Sequence, residues 1–271
     1  MAISTKRQAV GRYFRYYVFA PKYRPEEAWS AVTSDGVRLA GAWLAGPRSA
    51  FATVVLVHGF VHSSRTPGVY QFAHLLSREV AVVVPELRGH GGSGGESTLG
   101  REEPYDVEAA VAWARRERPD LPVVTVGLSL GGAAVLLHAG TYRDVAGVVA
   151  ISSPAWWGAW ETPAMQRLRR YAMTAGGRFV AARLLRTRVA AACEGVPDAR
   201  ELAAAIAPAF GLVVHDPADH YFGMEHPQAL YSWLREPKAL WLEEGRGHAT
   251  DLLTPDLASR LLAKLRELLL T

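Results

Sequence analysis

Residues Gly127-Leu128-Ser129-Leu130-Gly131 constrain the fold more than any other stretch of this chain. A β-branched run, Val123-Val124-Thr125-Val126, precedes them, and a run of small and apolar residues, Ala133-Ala134-Val135-Leu136-Leu137, follows. That order implies a buried strand, a sharp turn and a helix. A serine at such a turn sits in a strained backbone conformation. Glycines two residues to either side are required because a Cβ would meet the neighbouring strand or helix. The hydroxyl then stands above the sheet, beside a helix N-terminus whose partial positive charge favours a developing anion. Ser129 is therefore read as a nucleophile.

The rest of the chain alternates in the same way. Ser30 to Thr33 and Val37 to Leu44, joined through Asp35-Gly36 as a two-residue turn, read as a β-hairpin. Thr53–Val57, Val80–Val84, Val123–Val126, Ala146–Ile151, Leu212–His215 and Ala239–Leu242 are apolar runs of the length of fully buried strands. Helical signals fall between them, over Thr66–Ser77 and over Pro104–Arg118, the latter with acids early and arginines late, as its dipole favours. Thr254-Pro255-Asp256 caps a last helix that places Leu257, Leu261, Leu265 and Leu268 on one face. The expected class is α/β, a mostly parallel central sheet covered by helices on both faces.

Two regions stand outside that alternation. Residues 1–27 mix six cations with aromatic residues and carry no acid before Glu26. They read as an N-terminal segment packed on the body by its aromatics, with peripheral membrane contact as the alternative. Residues 154–207 are helical in pattern and rich in arginine, where a short crossover would suffice. They read as a helical cap inserted into a core formed by residues 28–153 and 208–271.

A chain of 271 residues fits one large domain with such an insertion. The net charge of +4 is carried mostly by arginine and reads as compositional bias, with attraction to an anionic surface or substrate as the alternative; no basic helix or aromatic RNA-binding motif supports nucleic-acid binding. One cysteine, Cys193, excludes an intrachain disulfide. No apolar run is long enough for a membrane span, and no signal-peptide core follows the basic start, so the expectation is a cytoplasmic protein.

A serine nucleophile needs a base, and the base needs a carboxylate to hold its tautomer. His248 in Gly245-Arg246-Gly247-His248 follows the last strand and emerges at the carboxyl edge that carries Ser129. Asp219 and Asp216, in the loop after the preceding strand, are the candidates for the acid, with Asp219 placed first. Gly89-His90-Gly91-Gly92-Ser93-Gly94 has the spacing of a dinucleotide loop but opens a polar loop instead of a helix, so no nucleotide cofactor is expected. His215, Asp216, Asp219 and His220 lack the spacing of a binuclear metal site, and no metal is expected. His58, His90 and His138 read as structural or packing residues.

The order Ser129, Asp219, His248 is that of the α/β-hydrolase superfamily. From about residue 30 onward the chain resembles that superfamily, especially its capped esterases and monoacylglycerol-lipase-like members. Leu56-Val57-His58-Gly59-Phe60 is similar to the family's strand-to-HG segment, and Leu87-Arg88-Gly89-His90-Gly91-Gly92-Ser93 to its R-G-x-G-x-S turn. Glu86 stands where the family often has Asp, and Asp216 where many members have Gly. The resemblance implies backbone N–H groups of Phe60 and Leu130 as an oxyanion hole. It also implies a serine hydrolase acting without cofactor on a small acyl ester, because relatives that open halides or epoxides carry an aspartate at the elbow. Trp156, Trp157, Trp160 and Phe222 are candidates for the acyl pocket, the tryptophans alternatively bracing the cap. Interfacial lipase or lysophospholipase, thioesterase, and a non-catalytic receptor-like member are the rival expectations.

Overall fold

A computed structural model describes residues 27–156, 162–193 and 195–270. Eight strands form one sheet in the order β1-β2-β4-β3-β5-β6-β7-β8. They are β1 (Glu27–Val32), β2 (Arg38–Leu44), β3 (Thr53–Val57), β4 (Ala81–Pro85), β5 (Val123–Leu128), β6 (Gly147–Ile151), β7 (Phe210–His215) and β8 (Lys238–Leu242). β2 runs antiparallel to both β1 and β4, and every other neighbouring pair is parallel.

The helices are α1 (Pro67–Leu76), α2 (Glu103–Glu117), α3 (Leu130–Tyr142), α4 (Pro163–Met173), α5 (Ala175–Leu184), α6 (Ala199–Ala203), α7 (Glu225–Trp233) and α8 (Pro255–Leu270). α4, α5 and α6 all lie between β6 and β7. The N-terminal segment, residues 1–27, falls almost wholly outside the described residues.

Strand pleat splits the core in two, because successive side chains point to opposite faces. Val55 and Val57 of β3 and Val148 and Ala150 of β6 pack with Val107, Val111, Leu130 and Leu230 from α2, α3 and α7. Their neighbours Val54, Leu56, Val149 and Ile151 pack with Phe72 and Leu76 of α1 and Leu257, Leu261 and Leu265 of α8. β3, β4, β5, β6 and β7 are buried along their whole length, which is why they read as unbroken apolar runs.

The hairpin turn differs from the two-residue form expected. Thr33 and Val37 still pair, the Thr33 N–H donating to the Val37 carbonyl at 2.9 Å, so Ser34-Asp35-Gly36 form a three-residue loop. The reason is tertiary. The Asp35 carboxylate turns inward to the buried Arg88 guanidinium at 2.8 Å, which also meets Glu102 at 2.8 Å and Asp106 at 2.9 Å. The Gly-rich turn after β4 is tied internally: Glu86 accepts from Ser64 Oγ at 2.8 Å and from the Gly92 N–H at 2.6 Å.

Candidate active site

Ser129 follows β5 directly and is the residue before α3, with φ +51° and ψ −113°. A non-glycine residue rarely adopts such angles, which cost of order 1–3 kcal/mol and persist only where the surroundings over-determine them. They do here. The Ser129 N–H donates to the Ile151 carbonyl at 2.9 Å, and its own carbonyl accepts from Ala133 N–H at 3.1 Å. A Cβ at Gly127 would lie 2.2 Å from the Gly131 carbonyl oxygen. A Cβ at Gly131 would lie 2.5 Å from the carbonyl oxygens of Val57 and His58. Both glycines are therefore demanded by the close approach of β3, β5 and α3.

His248 follows β8 and meets Ser129 from the far end of the sheet. Its Nε2 lies 3.0 Å from Ser129 Oγ, and its Nδ1 lies 2.7 Å from Asp219 Oδ2. A carboxylate only accepts, so Nδ1 carries the proton and the Nε2 lone pair faces the hydroxyl. Asp219 Oδ1 accepts from Tyr221 N–H at 2.8 Å and Phe222 N–H at 3.3 Å. Burial pushes the Asp219 carboxyl up, but its hydrogen bond to His248 and the neighbouring charge outweigh this and hold it below the ordinary value.

Asp216, the other candidate acid, faces elsewhere. Its Oδ1 accepts from Ala218 N–H at 2.8 Å, and its Oδ2 from Gly247 N–H at 2.6 Å and from Arg246 N–H. It joins the loop after β7 to the loop that presents His248. Gly247 beside it has φ +118°, outside the range of ordinary side chains. Ser152 Oγ accepts from Ala249 N–H at 3.0 Å and holds the other side of that loop.

The segment after β3 lies against Ser129: a Cβ at Gly59 would sit 3.3 Å from Ser129 Cβ and 3.3 Å from His62 Nδ1. Among the described residues no protein acceptor takes the Phe60 or the Leu130 N–H. His58 underlies this segment. Leu87 N–H donates to its Nε2 at 3.0 Å, so Nδ1 is the protonated nitrogen and donates to the Gly59 carbonyl at 2.7 Å. Burial lowers His58, His62 and His90 to about 3 each.

A family model described as serine aminopeptidase, S33, matches residues 48–220. The chain belongs to this family of hydrolases. The uncharacterized protein YfhR of Escherichia coli O157:H7 is 28% identical over 243 residues, which span 84% of this chain and 77% of that protein. An esterase of Pyrococcus furiosus superposes with TM-score 0.73 at 18% identity, covering 92% of this chain and 97% of that one. An esterase of Thermogutta terrifontis superposes with TM-score 0.68 at 22% identity, covering 90% and 99%. The α/β hydrolase GrgF of Penicillium sp. sh18 gives TM-score 0.70 at 17% identity, covering 92% and 100%. These structures share the α/β-hydrolase fold with this hydrolase.

Around the His248 ring the hydrolase places more aromatic groups than its sequence singled out. Tyr221 lies 4.4 Å from it, Phe222 5.6 Å and His220 6.1 Å, centroid to centroid. Only Phe222 was a candidate. The other two are its neighbours on the acid loop, and the signal was their adjacency to Asp219. Trp156 packs against His226 at 4.3 Å and Trp233 at 6.2 Å, under α7. Trp157 and Trp160 lie outside the described residues. Glu108, His138 and Asp144 bring one donor atom each to within 4.8 Å of one another. They are already engaged: His138 Nε2 faces Glu108 at 2.8 Å, and Arg115 holds Asp144 at 3.0 Å.

Proposed function

We propose that this hydrolase is a serine carboxylesterase for short or medium acyl esters, acting through an acyl-enzyme on Ser129. The observation that carries the proposal is the hydrogen-bonded line from Ser129 Oγ through His248 to Asp219, at 3.0 Å and 2.7 Å. His248 Nε2 takes the serine proton as Oγ attacks the acyl carbonyl. Asp219 holds the tautomer and stabilises the imidazolium that forms. The free N–H groups of Phe60 and Leu130 receive the oxyanion, each such donor being worth about 10²–10³ in rate. His248 then protonates the leaving alcohol, and water attacks the acyl-enzyme by the same route in reverse. Residues 154–207 act as the cap, and Phe222 with the tryptophans sets the acyl pocket.

An ester is favoured over an N-terminal peptide, despite the family description, by the charge of α4 and α5, the acids of residues 154–207 lying outside them at Glu161, Glu194, Asp198 and Glu201. An aminopeptidase must hold a substrate ammonium group, which calls for a carboxylate. Residues 162–193, which span α4 and α5, contain seven arginines and no acid.

Hydrolysis of p-nitrophenyl esters from acetate to palmitate, set beside aminoacyl p-nitroanilides, tests the reading. Turnover of the esters should exceed that of the anilides, and Ser129→Ala should lower it by about 10⁶. Near-normal turnover in that variant would remove Ser129 from the mechanism.

A further inference from the structure

α4, α5 and the segment after them concentrate arginine with no acid between, whereas many of the arginines elsewhere lie beside a carboxylate. Arg88, Arg101, Arg115, Arg118, Arg260 and Arg266 pair with a carboxylate, while others such as Arg38, Arg65 and Arg116 stand singly on the described surface without an ion pair. Residues 162–193 carry Arg167, Arg169, Arg170, Arg178, Arg183, Arg186 and Arg188 with no acidic residue among them. Arg188 donates to the carbonyls of Gly95 and Ser93 and so anchors the segment. The other six form no ion pair with a described residue.

The same two helices expose apolar side chains. Phe179 is 63% exposed, Leu184 56%, Val180 37% and Met173 37%, half of the large apolar residues that the described surface exposes. On α5, residues 179, 180, 183 and 184 fall on one face by helical spacing. Ala181 turns to the interior, and the Arg183 guanidinium lies 5.5 Å over the Phe179 ring. The outward face is thus apolar and cationic together.

The geometry points to α4 and α5 as a docking face for an anionic lipid bilayer, whose amphiphilic esters enter the site from that side. A bilayer's headgroup boundary offers both complements at once, anionic groups for the arginines and acyl chains for Phe179, Val180 and Leu184. Three other occupants satisfy one half only. A second copy of this face sets arginines against arginines. Residues 1–26 bring six cations and one acid, the same sign. A small soluble anion leaves the apolar side chains in water. The face is also tied to the site: Thr162 Oγ1, which caps α4, donates to the Tyr221 carbonyl at 3.1 Å, and the Tyr221 ring lies 4.4 Å from His248. Residues 187 and 189, just beyond α5, pair with His90 and Ser97. Entry from the membrane rests on the esterase reading, whereas docking itself does not.

Co-sedimentation with phosphatidylcholine vesicles, with and without phosphatidylglycerol, tests it. The full chain should sediment only with the anionic vesicles and be released by high salt. Arg178→Gln with Arg183→Gln should weaken partitioning about 30-fold, at about fivefold per arginine near a charged surface. Phe179→Ser with Leu184→Ser should abolish it. Both variants should retain the melting temperature and the p-nitrophenyl butyrate turnover of the parent. Failure of the parent to sediment would overturn the proposal, as would undiminished binding by both variants. Binding to soluble polyglutamate but not to vesicles would overturn it in favour of an acidic protein partner. A dimer split by the serine variant would overturn it in favour of a second copy. Vesicle binding without ester turnover would refute the esterase reading and leave the docking face standing.

Discussion

Lowering the pH below neutrality perturbs three histidines beneath the active site at once. His58, His62 and His90 are enclosed in the fold, and burial is the main cause that lowers each from 6.5 to about 3. In the unfolded chain each returns to about 6.5. Between these values the unfolded state binds one more proton per histidine than the folded state. A folded value below the unfolded one means that the stabilisation is complete above pH ~6.5 and is lost as pH falls toward ~3. Each proton contributes about 1.4 kcal/mol per pH unit, so three give a slope of about 4 kcal/mol per pH unit. A domain with about 5–15 kcal/mol of stability would exhaust it within about one to four units of 6.5. His215, His220 and His226 are also lowered by burial and add to the slope, whereas burial raises the Asp106 carboxyl to about 8, which subtracts about one proton from it over the same range. Asp219 and Asp216 lie below their ordinary value, so their losses come at lower pH still. Urea unfolding followed by circular dichroism at several pH values from about 7 to about 5 measures the slope directly. His90→Asn should reduce it by about 1.4 kcal/mol per pH unit. A parent slope of one proton or fewer would refute the claim that these rings stay neutral in the fold.

The two loop aspartates should separate cleanly. Asp219→Asn removes the acceptor for His248 Nδ1–H and should lower kcat by about 10⁴ with little change in melting temperature. Asp216→Asn has one acceptor oxygen where the carboxylate has two, so it cannot accept from Ala218 as well as from Arg246 and Gly247, and it loses the negative charge these N–H groups meet. It should cost about 3–6 kcal/mol, read by urea unfolding, on the scale of two hydrogen bonds to a charged group. Gly131→Ala drives a Cβ into the Val57 and His58 carbonyls. It should lower stability by at least the roughly 1–3 kcal/mol of ordinary overpacking, visible as lost soluble yield and melting temperature.

The elbow was legible because its local demands leave little choice: the two glycines and the following small residues fit only where β3, β5 and α3 nearly touch. His248 was legible from its loop, since parallel strands bring every such loop to one edge. The distinction between Asp219 and Asp216 was less so. They lie three residues apart on one turn, and their roles depend on which partner each carboxylate meets across the sheet edge. α7 escaped the sequence reading because only His226, Pro227 and Leu230 of its residues are buried, which leaves a faint helical period. The three-residue turn at Asp35 was hidden for a related reason, its deciding partner being Arg88, far along the chain. His62 drew no notice because enclosure is a property of the assembled fold, and nothing adjacent to it announces burial.

The tautomer of His58 has a consequence for the neighbouring peptide. A peptide unit is a rigid plate whose carbonyl and N–H point in opposite directions. The Gly59 carbonyl and the Phe60 N–H are the two edges of one such plate. His58 Nδ1 and His62 N–H, at 2.7 and 3.2 Å, grip the oxygen edge from within the protein. The nitrogen edge is thereby aimed without any contact of its own. A side chain that never meets substrate thus acts as the tiller for a donor that would, and it holds its course because a ring that stays uncharged keeps the same nitrogen protonated.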